Sequence, residues 1–445
     1  MPVIRYRARF ILPITAPPIV DGVVAVDDGR IAYVGPQTTG PSGEEIDLGE
    51  ALLMPGLVNT HCHLELTAMR GFLEDLDFRS WILRLTSAKR AVLSRDALLD
   101  AARYGIADGL RHGITSYGDT CDSGVAFDAM QEGGVRGVMY QEVFAPDPAQ
   151  CDGALAELRE KIDRMRPLET TLVRVGVSPH APYTVSDALF AAVAGYARRE
   201  SLPVAVHIAE SQLEHDLVVG GRGAFADGLR ARGIDVAPRS RSSIGLLASL
   251  GVLAARPLLI HCIRIDDVDV ELIAGSQSAV AHCPASNAKL GHGIAPLTTL
   301  LRARVTVGLG SDSVASNNRM DLLEEARLAT LLQRAQRGTF GELSAAAVLS
   351  LATLGGARAL GLDREVGSLE TGKAADLAAF PLAAVGPVHD PQAAAVFALP
   401  GTRASLVAVA GQVLVRDGLL LHEDVELEQR VQQSANALQA WLQTA

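Results

Sequence analysis

The chain has 445 residues, of which 48% are hydrophobic and 20% charged, and its formal net charge is −11 at pH 7. This composition is typical of a globular protein with one large domain and a smaller one. The acidic balance argues against a nucleic-acid partner, which needs clustered basic residues. No apolar stretch approaches the roughly 20 residues of a membrane span, and the N-terminal stretch is too basic for a signal peptide. Five cysteines, an odd number, do not suggest a disulfide framework, so we predict a cytoplasmic protein.

The predicted elements change character along the chain. Residues 1–53 favour short strands and tight turns, and from Met54 onward β-branched runs alternate with helical patterns such as 186–200. The predicted strands of this second part are 57–61, 114–119, 137–143, 172–178, 203–209, 257–261, 278–282 and 305–310. Eight strands, most followed by a helix, predict an α/β fold with a (β/α)8 TIM-like barrel over residues 54–362. A doubly wound sheet would want a glycine-rich loop after the first strand, where this chain has HCHLEL.

The end of the chain is β-rich again before a final helical pattern. We predict that residues 1–53 and 363–424 fold together as a small β-sandwich domain beside the barrel, and that 425–445 form a C-terminal helix.

Seven potential metal ligands lie at or just beyond the ends of predicted strands. They are His61, His63, His180, His207, His261, His282 and Asp312. Imidazole and carboxylate groups bind zinc and similar ions, and three histidines with one aspartate leave a position for water. A single such histidine is more commonly a hydrogen-bonded core residue, but the whole set favours one divalent metal ion, Zn²⁺ or else Fe²⁺ or Mn²⁺. Glu210 follows His207 by three residues, where a carboxylate can move protons for a nucleophilic water.

These residues belong to motifs that occur together in one known family. The motifs are PGLVNTHCH (55–63), HIAE (207–210), IHC (260–262), HCPASNAKL (282–290), LGSDS (309–313) and GKAADL (372–377). In this order they resemble the amidohydrolase superfamily, and most of all its branch of cytosine, guanine and adenosine-like deaminases and triazine chlorohydrolases.

The resemblance implies a role for each matching residue. His61, His63, His207 and Asp312 match the metal ligands, and Asp312 would also accept a proton from the attacking water. Four further residues match: Glu210 as proton shuttle, His261 as the histidine that orients hydroxide, and His180 and Trp81 as substrate contacts. Asn287 fits either the site or a turn. Binuclear relatives use a bridging lysine at the fourth strand, and this chain has none there.

The substrate is less constrained than the metal site. Glu65, two residues after His63, would contact substrate or hold a ligand histidine, and it resembles a residue of the aminofutalosine deaminases of menaquinone biosynthesis. The carboxylate that nucleoside relatives carry shortly after the tryptophan is missing after Trp81. Arg84, Lys89 and Arg90 are either surface charges or partners for a substrate carboxylate.

The resemblance leaves several functions open. We predict a hydrolytic deaminase of a heterocycle, preferably an adenine nucleoside such as aminodeoxyfutalosine, S-adenosylhomocysteine, methylthioadenosine or adenosine. The alternatives are a chlorohydrolase of a halogenated triazine, a guanine or cytosine deaminase, a hydrolase of an acyclic imine, and a scaffold that has lost its chemistry. The resemblance also implies a homodimer acting on a small molecule.

Overall fold

The computed structural model describes residues 2–444, with seventeen strands and seventeen α-helices in that range. The strands are β1 (Ile4–Ile11), β2 (Ile19–Asp27), β3 (Arg30–Pro36), β4 (Glu44–Asp47), β5 (Ala51–Pro55), β6 (Leu57–Cys62), β7 (Ile114–Cys121), β8 (Arg136–Val143), β9 (Val173–Pro179), β10 (Ala205–Ile208), β11 (Leu258–His261), β12 (Ala279–His282), β13 (Thr306–Leu309), β14 (Leu377–Pro381), β15 (Leu406–Val409), β16 (Gln412–Arg416) and β17 (Leu419–Leu420).

The helices lie mostly between the strands of the central part. They are α1 (Phe78–Val92), α2 (Arg95–Arg111), α3 (Val125–Glu132), α4 (Cys151–Met165), α5 (Asp187–Glu200), α6 (Gln212–Gly220), α7 (Ala224–Arg230), α8 (Ser243–Ser249), α9 (Asp267–Ser276), α10 (Pro284–Lys289), α11 (Leu297–Arg302), α12 (Val314–Asn317), α13 (Leu322–Arg337), α14 (Ala345–Ser350), α15 (Gly356–Ala359), α16 (Pro391–Phe397) and α17 (Leu427–Leu442). Short 3₁₀ segments occupy Leu64–Met69, Pro148–Gln150, Arg166–Leu168 and Val252–Ala255, and a π-helical turn occupies Leu351–Gly355.

Local sequence explains where these helices start. The predicted helix at 186–200 is α5, which Ser186 caps by accepting a hydrogen bond from the backbone N–H of Leu189. Its buried side chains include Leu189, Val193 and Ala197, spaced by four, so one face packs inward. The other helical prediction, at the chain end, corresponds to α17, which packs against α1 and α2.

Eight parallel strands form the centre of the molecule. They pair in two four-stranded sheets, β6 to β9 and β10 to β13, each in chain order. Single parallel bridges, Cys62 with Asp312 and Val177 with Val204, join the edges of the two sheets. This is a TIM-barrel-type arrangement, and every predicted strand of the central part overlaps one of the eight. The carboxyl ends of the strands therefore face the same end of the molecule.

A second, mixed sheet combines both ends of the chain. Its order is β17-β16-β15-β14-β5-β1-β2-β3, with β4 paired to β1. The junction is the antiparallel pair of β5 with β14, in which Leu53 faces Ala379. Within the predicted β-rich range 363–424, the first strand begins only at Leu377. That this sheet folds as a sandwich, and the domain boundaries at 53, 363 and 425, stay predictions.

The second sheet is attached to the amino ends of the central strands. Arg136, the first residue of β8, is paired with Asp376 of the GKAADL motif at 3.0 Å, and both side chains are buried. Among residues 2–444, no helix has the length and apolar character needed to cross a membrane.

Candidate metal centre and active site

Three buried histidines meet at the carboxyl ends of the central strands. His61 projects from β6, His207 from β10 and His261 from the end of β11. The ring centroid of His61 lies 4.8 Å from that of His207 and 5.8 Å from that of His261. Strands that are far apart in sequence thus bring their imidazoles to one point.

A carboxylate completes the cluster from β13. Asp312 Oδ1 lies 3.2 Å from His61 Nε2 and 3.5 Å from His63 Nε2. The other carboxylate oxygen accepts hydrogen bonds from Ser286 Oγ at 2.5 Å and Ser316 Oγ at 3.2 Å. Two hydroxyls therefore fix the orientation of the carboxylate and leave Oδ1 facing the histidines.

The backbone at these strand ends is unusual. Ala209, His261, Cys262 and Asp312 all have positive φ angles, between 48° and 77°, although none is glycine. Such conformations are disfavoured for residues with a Cβ and persist where surrounding contacts enforce them. The Asp312 N–H, for example, donates to the carbonyl oxygen of His61 at 2.9 Å. The turns aim side chains inward where a continuing strand would have carried them past the site.

The donor set fits a divalent metal ion. Both ring nitrogens of His207 are buried and lack a hydrogen-bond partner within the described chain, which costs free energy unless another ligand satisfies them. Burial and the neighbouring imidazoles hold the pKa of His207 well below its usual value, so the ring is neutral and has a lone pair for a metal. Potential ligand atoms lie within 4.8 Å of one another in two overlapping groups: His61, His207 and His261, and His61, His63 and Asp312.

His63 shows how one ring nitrogen is kept free. Its Nδ1 lies 3.0 Å from the carbonyl oxygen of Thr120, so Nδ1–H donates there and Nε2 remains available. Burial and the adjacent His61 lower the pKa of His63 to about 3. The same pattern holds for His261, whose Nδ1 donates to Asn287 Oδ1 at 3.0 Å. Asn287 is thus part of the site, one of the two roles its sequence context allowed.

Glu210 lies beside the histidine cluster. Ala209 directly follows β10, and the N–H groups of Ala209 and Glu210 donate to the carboxylate of Glu214 at 2.8 and 3.1 Å. The Glu210 side chain is buried, with Oε1 3.5 Å from His261 Nε2 and 3.4 Å from His292 Nε2. Burial alone would raise the pKa of Glu210, but His261 and His292 outweigh it and lower the pKa. A carboxylate in this position can exchange protons with a substrate held above the cluster.

Comparison with known proteins agrees with this geometry. The sequence model of the amidohydrolase family matches residues 52–414. The chain belongs to the amidohydrolase family. A 5-methylthioadenosine/S-adenosylhomocysteine deaminase of Moorella thermoacetica is 30% identical over 94% of this chain and 95% of its own length. A 5'-deoxyadenosine deaminase of Methanothermobacter thermautotrophicus is 33% identical over 96% and 98%. With such relatives, this amidohydrolase is a hydrolase acting on C–N bonds.

Solved structures similar to this amidohydrolase include zinc-bound proteins. An adenosine deaminase from Xanthomonas campestris with bound zinc has a TM-score of 0.87 and 29% identity, covering 98% of both chains. The zinc complex of an atrazine chlorohydrolase from Arthrobacter aurescens TC1 has a TM-score of 0.83 and 26% identity, covering 98% of this chain and 100% of that one. An aminofutalosine deaminase of Helicobacter pylori, at 20% identity and a TM-score of 0.81 over 92% and 100%, shares the fold.

Aromatic side chains of the amidohydrolase lie next to Glu210. The Phe78 ring is 4.6 Å from that of His292 and 6.2 Å from that of Trp81, while Tyr183 stacks on Phe225 at 4.3 Å. Trp81 is buried, and its Nε1 has no hydrogen-bond partner among residues 2–444. These rings form an apolar wall beside Glu210 and His292. That Trp81 touches substrate stays a prediction.

The remaining predicted residues lie at different distances from the cluster. His180 packs against His207, with ring centroids 4.7 Å apart, and its Nδ1 is 2.7 Å from Thr184 Oγ1. His282 ends β12 and is buried, but within the described range it is absent from every group of converging metal ligands.

Glu65 has a different environment from the one a continuing strand would give. The chain turns into a 3₁₀ helix at Leu64, and the buried Glu65 carboxylate contacts Lys89, Ser123 and Cys121. Lys89 also pairs with Asp122. Lys89 is therefore held between two carboxylates of its own chain. That it meets a substrate carboxylate stays a prediction.

Sequence reasoning missed three residues of this amidohydrolase site. His292 follows α10 in a loop, and only the fold brings it to Glu210. Glu214 organises the Glu210 turn through backbone contacts that no motif announces. Glu142 is a buried acid near the end of β8 whose potential ligand atom lies within 4.8 Å of those of His180 and His207. Its position at the end of the third predicted central strand was the available signal.

Proposed function

We propose that this amidohydrolase deaminates an adenine nucleoside with the help of one divalent metal ion, most suitably Zn²⁺. The observation that carries the proposal is the placement of Glu210 against His261 and His292, beside the His61, His63, His207 and Asp312 cluster. This is the arrangement needed to add water to an electron-poor ring carbon. The names of relatives that align over more than nine-tenths of the chain support an adenine nucleoside as substrate.

The chain's own residues supply the proton transfers. A metal ion held by His61, His63, His207 and Asp312 would lower the pKa of a bound water toward about 7. Glu210, whose pKa is lowered, is ionised at neutral pH, so it takes a proton from the nucleophilic water and delivers it to the adjacent ring nitrogen. The water oxygen then forms a bond to the amino-bearing ring carbon.

The second half of the reaction expels the amine. His261 is held by Asn287 at Nδ1, so its Nε2 side faces Glu210 and the reacting carbon and stabilises developing negative charge there. Asp312 accepts the remaining proton of the added hydroxyl and passes it to the amino group. The C–N bond breaks, ammonia leaves, and the ring carbon keeps oxygen as a keto group. The aromatic wall around Phe78 and Trp81 would stack on the purine and exclude water.

The test is ammonia release from a substrate panel with the zinc-loaded protein. The panel holds adenosine, 5'-deoxyadenosine, methylthioadenosine, S-adenosylhomocysteine, aminodeoxyfutalosine, guanine and cytosine, and Glu210→Gln with equal metal content is the control. We expect release from at least one adenine nucleoside and a loss of about 10²- to 10⁴-fold in the variant. Release from guanine or cytosine alone would overturn the nucleoside proposal. Turnover of aminodeoxyfutalosine above the others would place the enzyme in menaquinone biosynthesis.

A second candidate is removal of chloride from a halogenated triazine. It is favoured by the full-length structural similarity to an atrazine chlorohydrolase, and it uses the same addition of water followed by loss of a leaving group. Chloride release from atrazine, in the absence of ammonia release from every nucleoside, would establish this activity in place of deamination.

A further inference from the structure

Glu142 faces the interior of the strand assembly on the side of the active site. Val138 and Tyr140 of β8 belong to the same buried cluster as Ala205 of β10. Because side chains alternate along a strand, Glu142 lies on the face of Val138 and Tyr140, as His207 lies on the face of Ala205. Glu142 is thus one layer above the core, in the layer that holds His207.

This carboxyl group is close to the metal-binding histidines and has a free oxygen. A carboxylate oxygen of Glu142 and ring nitrogens of His180 and His207 all lie within 4.8 Å of one another. The residue is 7% exposed, and Oε1 makes no hydrogen bond to any residue that the structure describes. Ser178, its register partner on β9, also has a buried hydroxyl lacking a partner in residues 2–444.

A buried polar group of this kind is expensive for the fold. Leaving a buried donor or acceptor unsatisfied costs roughly 1–3 kcal/mol, and more for a charged group. An ionised carboxylate accepts hydrogen bonds, and a protonated carboxyl group also donates one. A hydroxyl group on a ligand satisfies both states, since it donates and accepts.

Other acids near the site are already engaged. Glu210 faces His261 and His292, and Glu65 is bound by Lys89, Ser123 and Cys121. On α1, the residues after Trp81 include no acid as far as Val92. Asp119 also keeps an unpaired Oδ1, but its other oxygen accepts from the Leu64 N–H and Cys62 Sγ. Among residues 2–444, Glu142 is the buried acid whose carboxylate both has an unpaired oxygen and converges with ring nitrogens of His180 and His207. In an adenine nucleoside, the polar part beyond the base is the ribose with its vicinal hydroxyls.

We propose that Glu142, with Ser178 beside it, binds the ribose 2'- and 3'-hydroxyl groups of the substrate and makes the enzyme selective for ribonucleosides. This inference rests on the proposed deamination of adenine nucleosides. It assigns Glu142 to substrate binding at the sugar and gives it no role in moving protons at the base.

The experiment measures kcat/KM for adenosine and 2',3'-dideoxyadenosine in zinc-loaded wild type, Glu142→Ala and Glu142→Gln. We expect wild type to prefer adenosine by about 5- to 150-fold, the range for leaving a buried hydrogen-bonding group unpaired. In Glu142→Ala the two substrates should differ by less than about 3-fold, and Glu142→Gln should retain part of the preference. 2'-Deoxyadenosine and 3'-deoxyadenosine show which hydroxyl is bound.

Two matched variants define the outcomes. Glu157→Gln, on the exposed face of α4, should keep the wild-type preference, and Glu65→Gln should lower turnover of both substrates alike. A preference that survives in Glu142→Ala, or an equal loss on both substrates, would overturn the assignment. So would a second equivalent of zinc in wild type that Glu142→Ala loses, because Glu142 would then be a metal ligand. Absence of ammonia from every nucleoside in wild type would instead overturn the proposed function itself.

Discussion

The two ends of β8 each bury a charged residue, and they treat it in opposite ways. Arg136, at the amino end, donates to both carboxylate oxygens of Asp376 at 3.0 and 3.1 Å, and Asp376 also accepts from the Ala410 N–H at 2.8 Å. Glu142, near the carboxyl end, keeps an oxygen with no hydrogen bond inside the described chain. The buried charge of this strand has its hydrogen bonds satisfied where the strand joins the second sheet, and it keeps an unpaired oxygen where the strand meets the proposed metal ligands.

The contrast teaches how to separate stability from function in this fold. Native proteins pair nearly all buried polar groups, so a cluster of unpaired ones marks a place where a ligand completes the structure. At the carboxyl ends, the described residues with unpaired buried atoms include His61, Asp119, Glu142, Ser178, His207 and His282. We expect substitutions at this end to reduce turnover and substitutions at the amino end to reduce the free energy of unfolding.

The largest expected effect is on turnover. Glu210→Gln keeps the size of the side chain but cannot carry a proton between water and substrate, so kcat should fall by about 10²- to 10⁴-fold. Metal content and the denaturant midpoint should stay at wild-type values, measured by elemental analysis and circular dichroism. Near-wild-type turnover with metal bound would show that Glu210 does not transfer the proton. It would also contradict the functional role assigned to the carboxyl ends of the strands.

The matching change on the structural side is Arg136→Met. It leaves the Asp376 carboxylate buried without its cation, which typically costs about 3–5 kcal/mol. Denaturant unfolding measures that loss, and kcat of the folded enzyme should not change. The double variant Arg136→Met/Asp376→Asn removes the stranded charge and should regain part of the stability. If the single variant unfolds at the wild-type midpoint, the ion pair does not hold the second sheet in place.

Glu214 holds the backbone turn at Glu210, and its buried carboxyl group should make the free energy of unfolding depend on pH. Burial raises its pKa to about 7, above the usual 4.5, even though Ser243 and two backbone N–H groups favour the ionised form. A carboxyl group with a raised folded pKa contributes full stability below 4.5, and that contribution is lost as pH rises toward 7. The loss is roughly 3 kcal/mol, and Glu214→Gln should flatten this part of the unfolding profile. Equal slopes in wild type and variant between pH 4.5 and 7 would contradict it.

The smallest effect is expected at an exposed ion pair. Glu157 and Lys161 are one helical turn apart on α4, with 2.8 Å between Oε1 and Nζ. Such a pair stabilises a helix by about 0.3–0.5 kcal/mol, so Glu157→Gln should barely move the unfolding midpoint. A loss of unfolding free energy close to that of Arg136→Met would show that burial does not determine how much a charge pair stabilises this protein.

Much of the site could be predicted from the sequence, because its residues lie at the ends of predicted strands. His61, His63, His207 and Asp312 follow short β-branched runs, and parallel strands bring such ends together. All eight central strands appear where these runs lie. The strand predicted at 203–209 ends at Ile208 because Ala209 adopts a left-handed conformation, which periodicity does not reveal.

The rest depended on tertiary contacts. His292 reaches Glu210 from a loop, and nothing in its local sequence distinguishes it from a surface histidine. A strand that continued past His63 would have placed Glu65 on the same face as His63, but the chain turns at Leu64 and Glu65 pairs with Lys89 on α1. The sequence pattern also leaves the register of β5 with β14 undetermined, because these two paired strands come from distant segments of the chain.

That pairing has a consequence for how the protein is made. Pro55 leaves the ribosome roughly 320 residues before its partner Leu377, which at about 5–20 residues per second is a delay of roughly 15 to 65 s. Throughout this interval the edge of β5 lacks its neighbour, and an open strand edge invites pairing with other chains. The first strands to be synthesised are therefore among the last to be completed, and the nascent chain is most vulnerable to aggregation while its central strands are still being translated.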